Sequence, residues 1–141
     1  MYKIPSGKNV FHWTVPKEWK IKEAYILDPK NKKIIDFKNN NLHLLSYSKP
    51  IDKIIDLKDL KKNLYSLPKK PNLIPYATSY YKRNWGFCLT HKQKRSLVPG
   101  KYRVVIKSEF RNGYVEWGES YLKGNVGNDK SRKLILISSY L

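Results

Sequence analysis

The chain of 141 residues carries 29 Lys and Arg against 11 Asp and Glu, a formal net charge of +18, with 40% hydrophobic and 13% aromatic residues. Four Trp, eleven Tyr and four Phe exclude a disordered basic tail, and a single cysteine, Cys88, excludes a disulfide scaffold or a multi-cysteine zinc module. The longest unbroken apolar run, Leu134 to Ile137, is far short of a membrane span, and Met1-Tyr2-Lys3-Ile4-Pro5 lacks the apolar stretch of a signal peptide. One soluble, cytoplasmic domain with a modest core is expected, with no membrane partner.

In chain order, the first third reads as short strands. Val10 to Val15 ends at Pro16, Ala24 to Leu27 precedes a turn at Asp28-Pro29-Lys30-Asn31, and Lys33 to Phe37 returns. Leu42 to Tyr47 follows the Asn39-Asn40-Asn41 loop. Asp56 has the form of a helix N-cap, and Asp59 suits a helix N-terminus. Leu57, Leu60, Leu64 and Leu67 then recur at spacings of three, four and three, a core stripe ended by Pro68. This predicts a helix of about three turns lying on a sheet.

Pro68, Pro71 and Pro75 make 68–80 an extended loop. Thr90 with Gln93 has the form of a capping box and predicts a short basic helix through Lys92 to Leu97. Pro99-Gly100 turns the chain into a strand, Lys101 to Phe110, in which Tyr102, Val104 and Ile106 alternate with Arg103, Val105 and Lys107. Asn112-Gly113 is a hairpin signal, with Tyr114 to Leu122 as its second arm. The loop from Gly124 to Asp129 leads to Lys133 to Tyr140. There Leu134-Ile135-Leu136-Ile137 does not alternate, the pattern of a strand covered on both faces in an α/β sheet. That pattern predicts a chain that is part of something larger; a central strand in a small mixed sheet would read the same way.

The charge is uneven. Residues 61–112 hold thirteen cations and one acid, Glu109, while residues 1–60 and 113–141 are nearly balanced at +5 and +1. A basic RNA- or polyanion-binding module is therefore a competing class, carried by Lys92, Lys94, Arg95, Arg103 and Lys107. Against it, 24 of the 29 cations are Lys, a solvated point charge, and only five are Arg, the bidentate binder of phosphates. The excess is also spread over a helix, a loop and a strand, which favours a solvated surface over a nucleic-acid site.

Several segments carry a resemblance. They are Pro5-Ser6-Gly7, Val10-Phe11-His12-Trp13-Thr14-Val15-Pro16 and Trp19, then Asn41-Leu42-His43, Tyr47-Ser48 and Leu60 with Leu64-Tyr65-Ser66-Leu67-Pro68. The most specific are Ile74-Pro75-Tyr76, Thr78-Ser79-Tyr80-Tyr81 and Arg83-Asn84-Trp85-Gly86-Phe87-Cys88, continuing through His91 and Gln93. Gly100-Lys101-Tyr102-Arg103-Val104, Gly118-Glu119 and Leu136-Ile137-Ser138-Ser139-Tyr140-Leu141 complete them. In this order the chain resembles bacterial proteins with an aminopeptidase-like domain, related to zinc-dependent exopeptidases. The resemblance implies that 1–132 is a β-rich inserted domain and that 133–141 is a strand returning to a host α/β domain. It also implies that the zinc-site sequences follow Leu141, so that zinc belongs to the intact parent and this chain holds no cofactor. The partners implied are the host exopeptidase-like domain or a second copy of the chain, and a peptide-like substrate in the parent. His12 stands where the family more often has Asp, so any role of that Asp lacks its bearer here.

The residues themselves supply no metal site: His12, His43 and His91 are far apart, and neither a His-x-x-x-His nor a Cys-x-x-Cys pair occurs. Tyr80, Tyr81, Arg83 and Trp85 combine planar groups with a fixed cation, suited to gripping a carboxylate or sugar-like ligand. Alternatively, they form a structural loop in which aromatics plug the core and Gly86 permits a turn. His91 follows the cap and either faces the same pocket or is structural. Cys88, between Phe87 and Leu89, reads as a buried, inert thiol. Glu116 and Glu119 face opposite sides of a strand, which argues against a shared carboxylate mechanism; Glu119 matches the family's Gly-Glu and would reach the host cleft. Trp13 and Trp19 read as core anchors. The expectation is a β-rich α+β fold, a mixed or antiparallel sheet with one three-turn and one short helix. Its role is to shape a substrate cleft or subunit interface without catalysing hydrolysis itself.

Overall fold

The computed structural model describes residues 2–123 and 133–140, with the backbone alone for 117, 119–123 and 133–140. Two compact units divide the chain: Met1–Glu18 with Phe110–Leu141, and Trp19–Glu109. The first unit begins with β1 (Tyr2–Pro5) and the two-residue strands β2 (Asn9–Val10) and β3 (Trp13–Thr14). The single strand expected over Val10 to Val15 is thus a tight hairpin, pairing Asn9 with Thr14 and Val10 with Trp13. Its loop is made by Phe11 at φ 53° with His12, both exposed, and Thr14 Oγ1 donates to Asn9 Oδ1 at 2.8 Å. Local side-chain bonding and a left-handed residue override the run's β-propensity.

The second unit is built on a four-stranded sheet. Its strands are β4 (Glu18–Leu27), β5 (Lys33–Asp36), β6 (Ile51–Asp56) and β9 (Lys101–Arg111), in the order β5-β4-β9-β6. The β4–β5 turn falls where expected. Asp28 Oδ1 accepts from the amides of Lys30 and Lys32 at 2.8 and 2.9 Å, and Asn31 takes φ 60°. β6 escapes the sequence pattern because it lies at the sheet's edge, half-exposed, and gains its conformation by antiparallel pairing with β9, from Ile51 opposite Ile106 to Asp56 opposite Lys101.

The expected three-turn helix is a single turn, α1 (Leu57–Leu60), followed by a 3-10 turn at Lys61–Asn63 and the strand β7 (Leu64–Tyr65). Leu57, Leu60 and Leu64 are all buried, so three members of the stripe are core, but Leu67 is exposed. The reason is backbone pairing. β7 runs parallel to β8 (Phe87–Cys88), Leu64 opposite Phe87 and Tyr65 opposite Cys88, and Leu89 N donates to Tyr65 O at 3.0 Å. A continued helix would forfeit these bonds. Asp56 occupies the N-cap position with extended geometry but makes no side-chain cap bond. The strand expected over Leu42 to Tyr47 instead opens as a 3-10 turn at Asn41–His43, where Asn40 Oδ1 accepts from Leu42 N at 3.0 Å.

The short basic helix is α2 (His91–Arg95), and Thr90 and Gln93 form the full capping box. Ala24, Ile26, Leu60, Phe87, Leu89, Tyr102, Val104 and Ile106 are at the centre of the core, each at most 1% exposed. β9 supplies three of them through the alternation read from its sequence, and Val105 is buried as well.

In the first unit, β10 (Tyr114–Lys123) and β11 (Lys133–Tyr140) complete a sheet in the order β1-β10-β11, antiparallel throughout. Asn112-Gly113 therefore does not close a hairpin of paired neighbours, since β10 pairs with β1 and β11. The N-terminal segment takes that place: Ser6 N donates to Gly113 O at 2.9 Å, and Gly113 N donates to Ser6 Oγ at 3.0 Å. The faces of Leu134 to Ile137, and the loop from Gly124 to Asp129, lie outside the residues whose side chains are described. β-rich with two short α-helices among the described residues, the fold is α+β. No described helix is long and apolar enough to cross a membrane.

Candidate functional site

The second unit carries a row of aromatic rings assembled from three distant segments. Trp19, at the start of β4, stacks on Tyr47 with ring centroids 5.7 Å apart and planes 12° from parallel. Tyr47 meets the edge of Tyr80 at 5.0 Å, and Tyr80 meets Tyr81 at 4.6 Å. The row runs outward. Trp19, Tyr47 and Tyr80 are half-buried, Tyr81 is 88% exposed, and Tyr76, five residues before it, is 74% exposed.

Backbone bonds position the row. Ser46 N donates to Ala77 O at 3.0 Å, and Ser79 N donates to Ser46 O at 2.8 Å. On the other side Leu45 N donates to Gly86 O and Lys49 N to Asn84 O. The segment 45–49 is thus held between residues 77–79 and 84–86. Tyr47 sits within it at φ 60°, a left-handed conformation that a bulky residue adopts only when its surroundings impose it. Ser48, fully buried, ties the arrangement together: its Oγ donates to Leu45 O at 2.6 Å, and its carbonyl accepts from Trp19 Nε1 at 2.9 Å and Ser108 Oγ at 2.8 Å. Burial pushes the Tyr47 hydroxyl above its ordinary pKa, with Tyr80 and Tyr76 adding to the rise.

Of the residues singled out from sequence, Tyr80 and Tyr81 come together in this row, and exposed Arg83 follows two residues later. Trp85 is 8% exposed and belongs to the core. His91 opens α2, its Nδ1 3.0 Å from Ser66 Oγ. Glu119 lies on β10 opposite Ile137, in the first unit, and its side chain is not among those described. Trp19 and Tyr47 were legible as aromatics but not as members of a site, since twenty-eight residues separate them and no periodicity joins them.

The basic residues are dispersed and partly committed. Arg103 donates to Asp52 through Nε at 3.1 Å and Nη2 at 3.0 Å, a bidentate pair across β9 and β6, and Lys107 pairs with Glu23. Lys94 Nζ donates to Leu64 O at 2.6 Å, and its pKa is lowered by burial and by Lys61. Lys92 and Arg95 are exposed on α2. Lys107 also lines a shallow groove of about 540 Å³ with Lys22, Ile51, Asp52 and Ile106, whose charges are mixed.

Cys88 is fully buried, and burial pushes its thiol up to about 11. His43 is buried with Nδ1 2.8 Å from Cys88 O; because a carbonyl only accepts, Nδ1 carries the proton. His12 is exposed. Among the described residues no three His, Cys, Asp or Glu side chains converge to hold a metal ion. They do not supply a zinc site.

The sequence pattern of the domain of unknown function DUF2172 matches residues 18–109. The chain belongs to the DUF2172 family. The matched segment nearly coincides with the compact unit Trp19–Glu109, so the DUF2172 unit is a structural unit as well as a sequence one. Over 140 residues, 99% of its length, the chain is 45% identical to a Clostridium acetobutylicum protein provisionally named as a polysaccharide biosynthesis protein with an aminopeptidase-like domain. A solved structure from Clostridium acetobutylicum, provisionally described as a peptidase, matches 89% of the chain at 48% identity with a TM-score of 0.80. The chain spans 31% of the first relative's length and 30% of the second's.

Proposed function

We propose that the DUF2172 unit is an accessory, non-hydrolytic domain of an aminopeptidase-like zinc protein of the cytoplasm, and that its tyrosine row shapes the substrate cleft or a subunit interface. The observation that carries this reading is the coincidence of the family match with one compact unit, whose first and last strands, β4 and β9, are neighbours in one sheet. A unit whose chain arrives and leaves on adjacent strands suits insertion into a host fold with little disturbance. The names of the two clostridial relatives, each about three times as long, support a peptidase-like host. In this reading Lys133–Tyr140 returns to the host domain, and the zinc ligands lie outside the chain.

The test is a pair of assays. The chain with added zinc should release no amino acid from aminoacyl-anilide substrates. Replacing the corresponding segment of the clostridial relative by residues 19–109 should preserve whatever hydrolysis that protein performs. Zinc-dependent turnover by the chain alone, abolished by substitution of His12, His43 or His91, would overturn the proposal.

A further inference from the structure

The outer end of the aromatic row has a composition of its own. Tyr76 and Tyr81 present exposed rings, and Tyr81 is backed by half-buried Tyr80, against whose ring it packs edge-on. Rings fixed with one face to solvent bind flat, partly apolar surfaces, and the C–H faces of pyranose rings are of that kind; the tyrosine hydroxyls supply hydrogen bonds to sugar hydroxyls. Between Asp59 and Glu109 the sequence holds twelve Lys and Arg and not one acid, although these cations are spread over several elements and Arg103 and Lys107 are paired with acids. Lys82 and Arg83, both exposed, directly follow Tyr81.

Charge complementarity therefore selects among ring-shaped ligands. A neutral sugar would gain from the rings alone, whereas a sugar bearing carboxylates would also gain from the cations. An aromatic-free polyanion would use the cations and leave the tyrosines idle. The strained Tyr47 bears on the same point. A left-handed tyrosine is maintained where it places a ring between Trp19 and Tyr80, and Tyr80 in turn supports exposed Tyr81.

We propose that Tyr76 and Tyr81, with Lys82 and Arg83, form a binding site for an acidic saccharide, a chain of pyranose rings bearing uronic-acid carboxylates. The site goes beyond the accessory role above and does not depend on a peptidase host.

Isothermal titration of the 141-residue chain with an oligogalacturonate, a dextran oligosaccharide, polyglutamate and polyphosphate tests it. The oligogalacturonate should bind best, and Tyr81→Ala and Tyr76→Ala should each weaken it by about tenfold, as loss of one ring contact gives. Tyr81→Phe should retain most of the affinity. Both tyrosines are exposed, so the thermal midpoint of each variant should match that of the parent chain and separate lost binding from lost folding. No binding of the oligogalacturonate would overturn the proposal. So would affinity that survives in the Tyr76→Ala/Tyr81→Ala double variant, or polyphosphate bound as tightly, since the cations alone would then account for it. Tighter, tyrosine-dependent binding of polyglutamate would assign the surface to an acidic protein instead.

Discussion

Trp19 and Tyr47 lie nearly parallel, 12° between planes, while the indole Nε1 of Trp19 donates to the carbonyl of the residue after Tyr47 at 2.9 Å. One side chain thus fixes both the ring and the backbone of the 45–49 segment. Trp19→Phe keeps a ring but removes the donor. It should lower the stability of the chain by about 1–2 kcal/mol in urea unfolding, a modest loss because Ser108 Oγ still serves the same carbonyl. An unchanged urea midpoint would show that the stack, not the bond, holds the segment.

Gly86 is required for close approach rather than for backbone freedom. A Cβ there would lie 2.6 Å from Tyr65 Cε2 and 2.8 Å from the backbone oxygen of Asn63. Gly86→Ala should destabilise by about 1–3 kcal/mol as the β7–β8 contact is forced apart. Tolerance of this substitution, measured by thermal unfolding, would contradict the packing.

The leucine stripe separates into two classes. Leu60 is fully buried and Leu67 is 39% exposed. Leu60→Ala should cost about 2–5 kcal/mol, and Leu67→Ala no more than about 0.5 kcal/mol. Equal losses would restore the three-turn helix that the spacing predicts.

Cys88 should be chemically silent in the native chain. With its thiol fully buried and pushed up to about 11, a disulfide reagent at pH 8 should leave it unmodified until urea unfolds the protein. Rapid native-state labelling would show that the 84–88 segment opens.

Several carboxylates are held below their ordinary pKa by a bonded cation: Asp52 by Arg103, Glu23 by Lys107 and Asp59 by Lys62. A group depressed in the folded state stabilises above its unfolded pKa, and that stabilisation is lost as pH falls through the folded value. The urea midpoint should therefore drop on acidification below the ordinary carboxylate range, and less so at high salt, because these pairs are at the surface. Carboxylate NMR should find Asp52 titrating below the usual range; titration within it would contradict the bidentate pair.

What the sequence by itself determined is what short windows can decide. The Asp28 turn, the Thr90–Gln93 capping box and the alternation of Tyr102, Val104 and Ile106 depend on neighbours a few residues away, and each appears where it was expected. Partner choice lay beyond those windows. Leu64 and Tyr65 pair with Phe87 and Cys88, and β10 pairs with β1 across more than a hundred residues, where backbone bonds outweigh both the helical spacing and the hairpin signal. The candidate site divides in the same way. Tyr80, Tyr81 and Arg83 were visible as one run, but only the tertiary structure withdrew Trp85 into the core and set Tyr47 between Trp19 and Tyr80. Ring stacking depends on distance in space, and no local pattern in the chain encodes that distance.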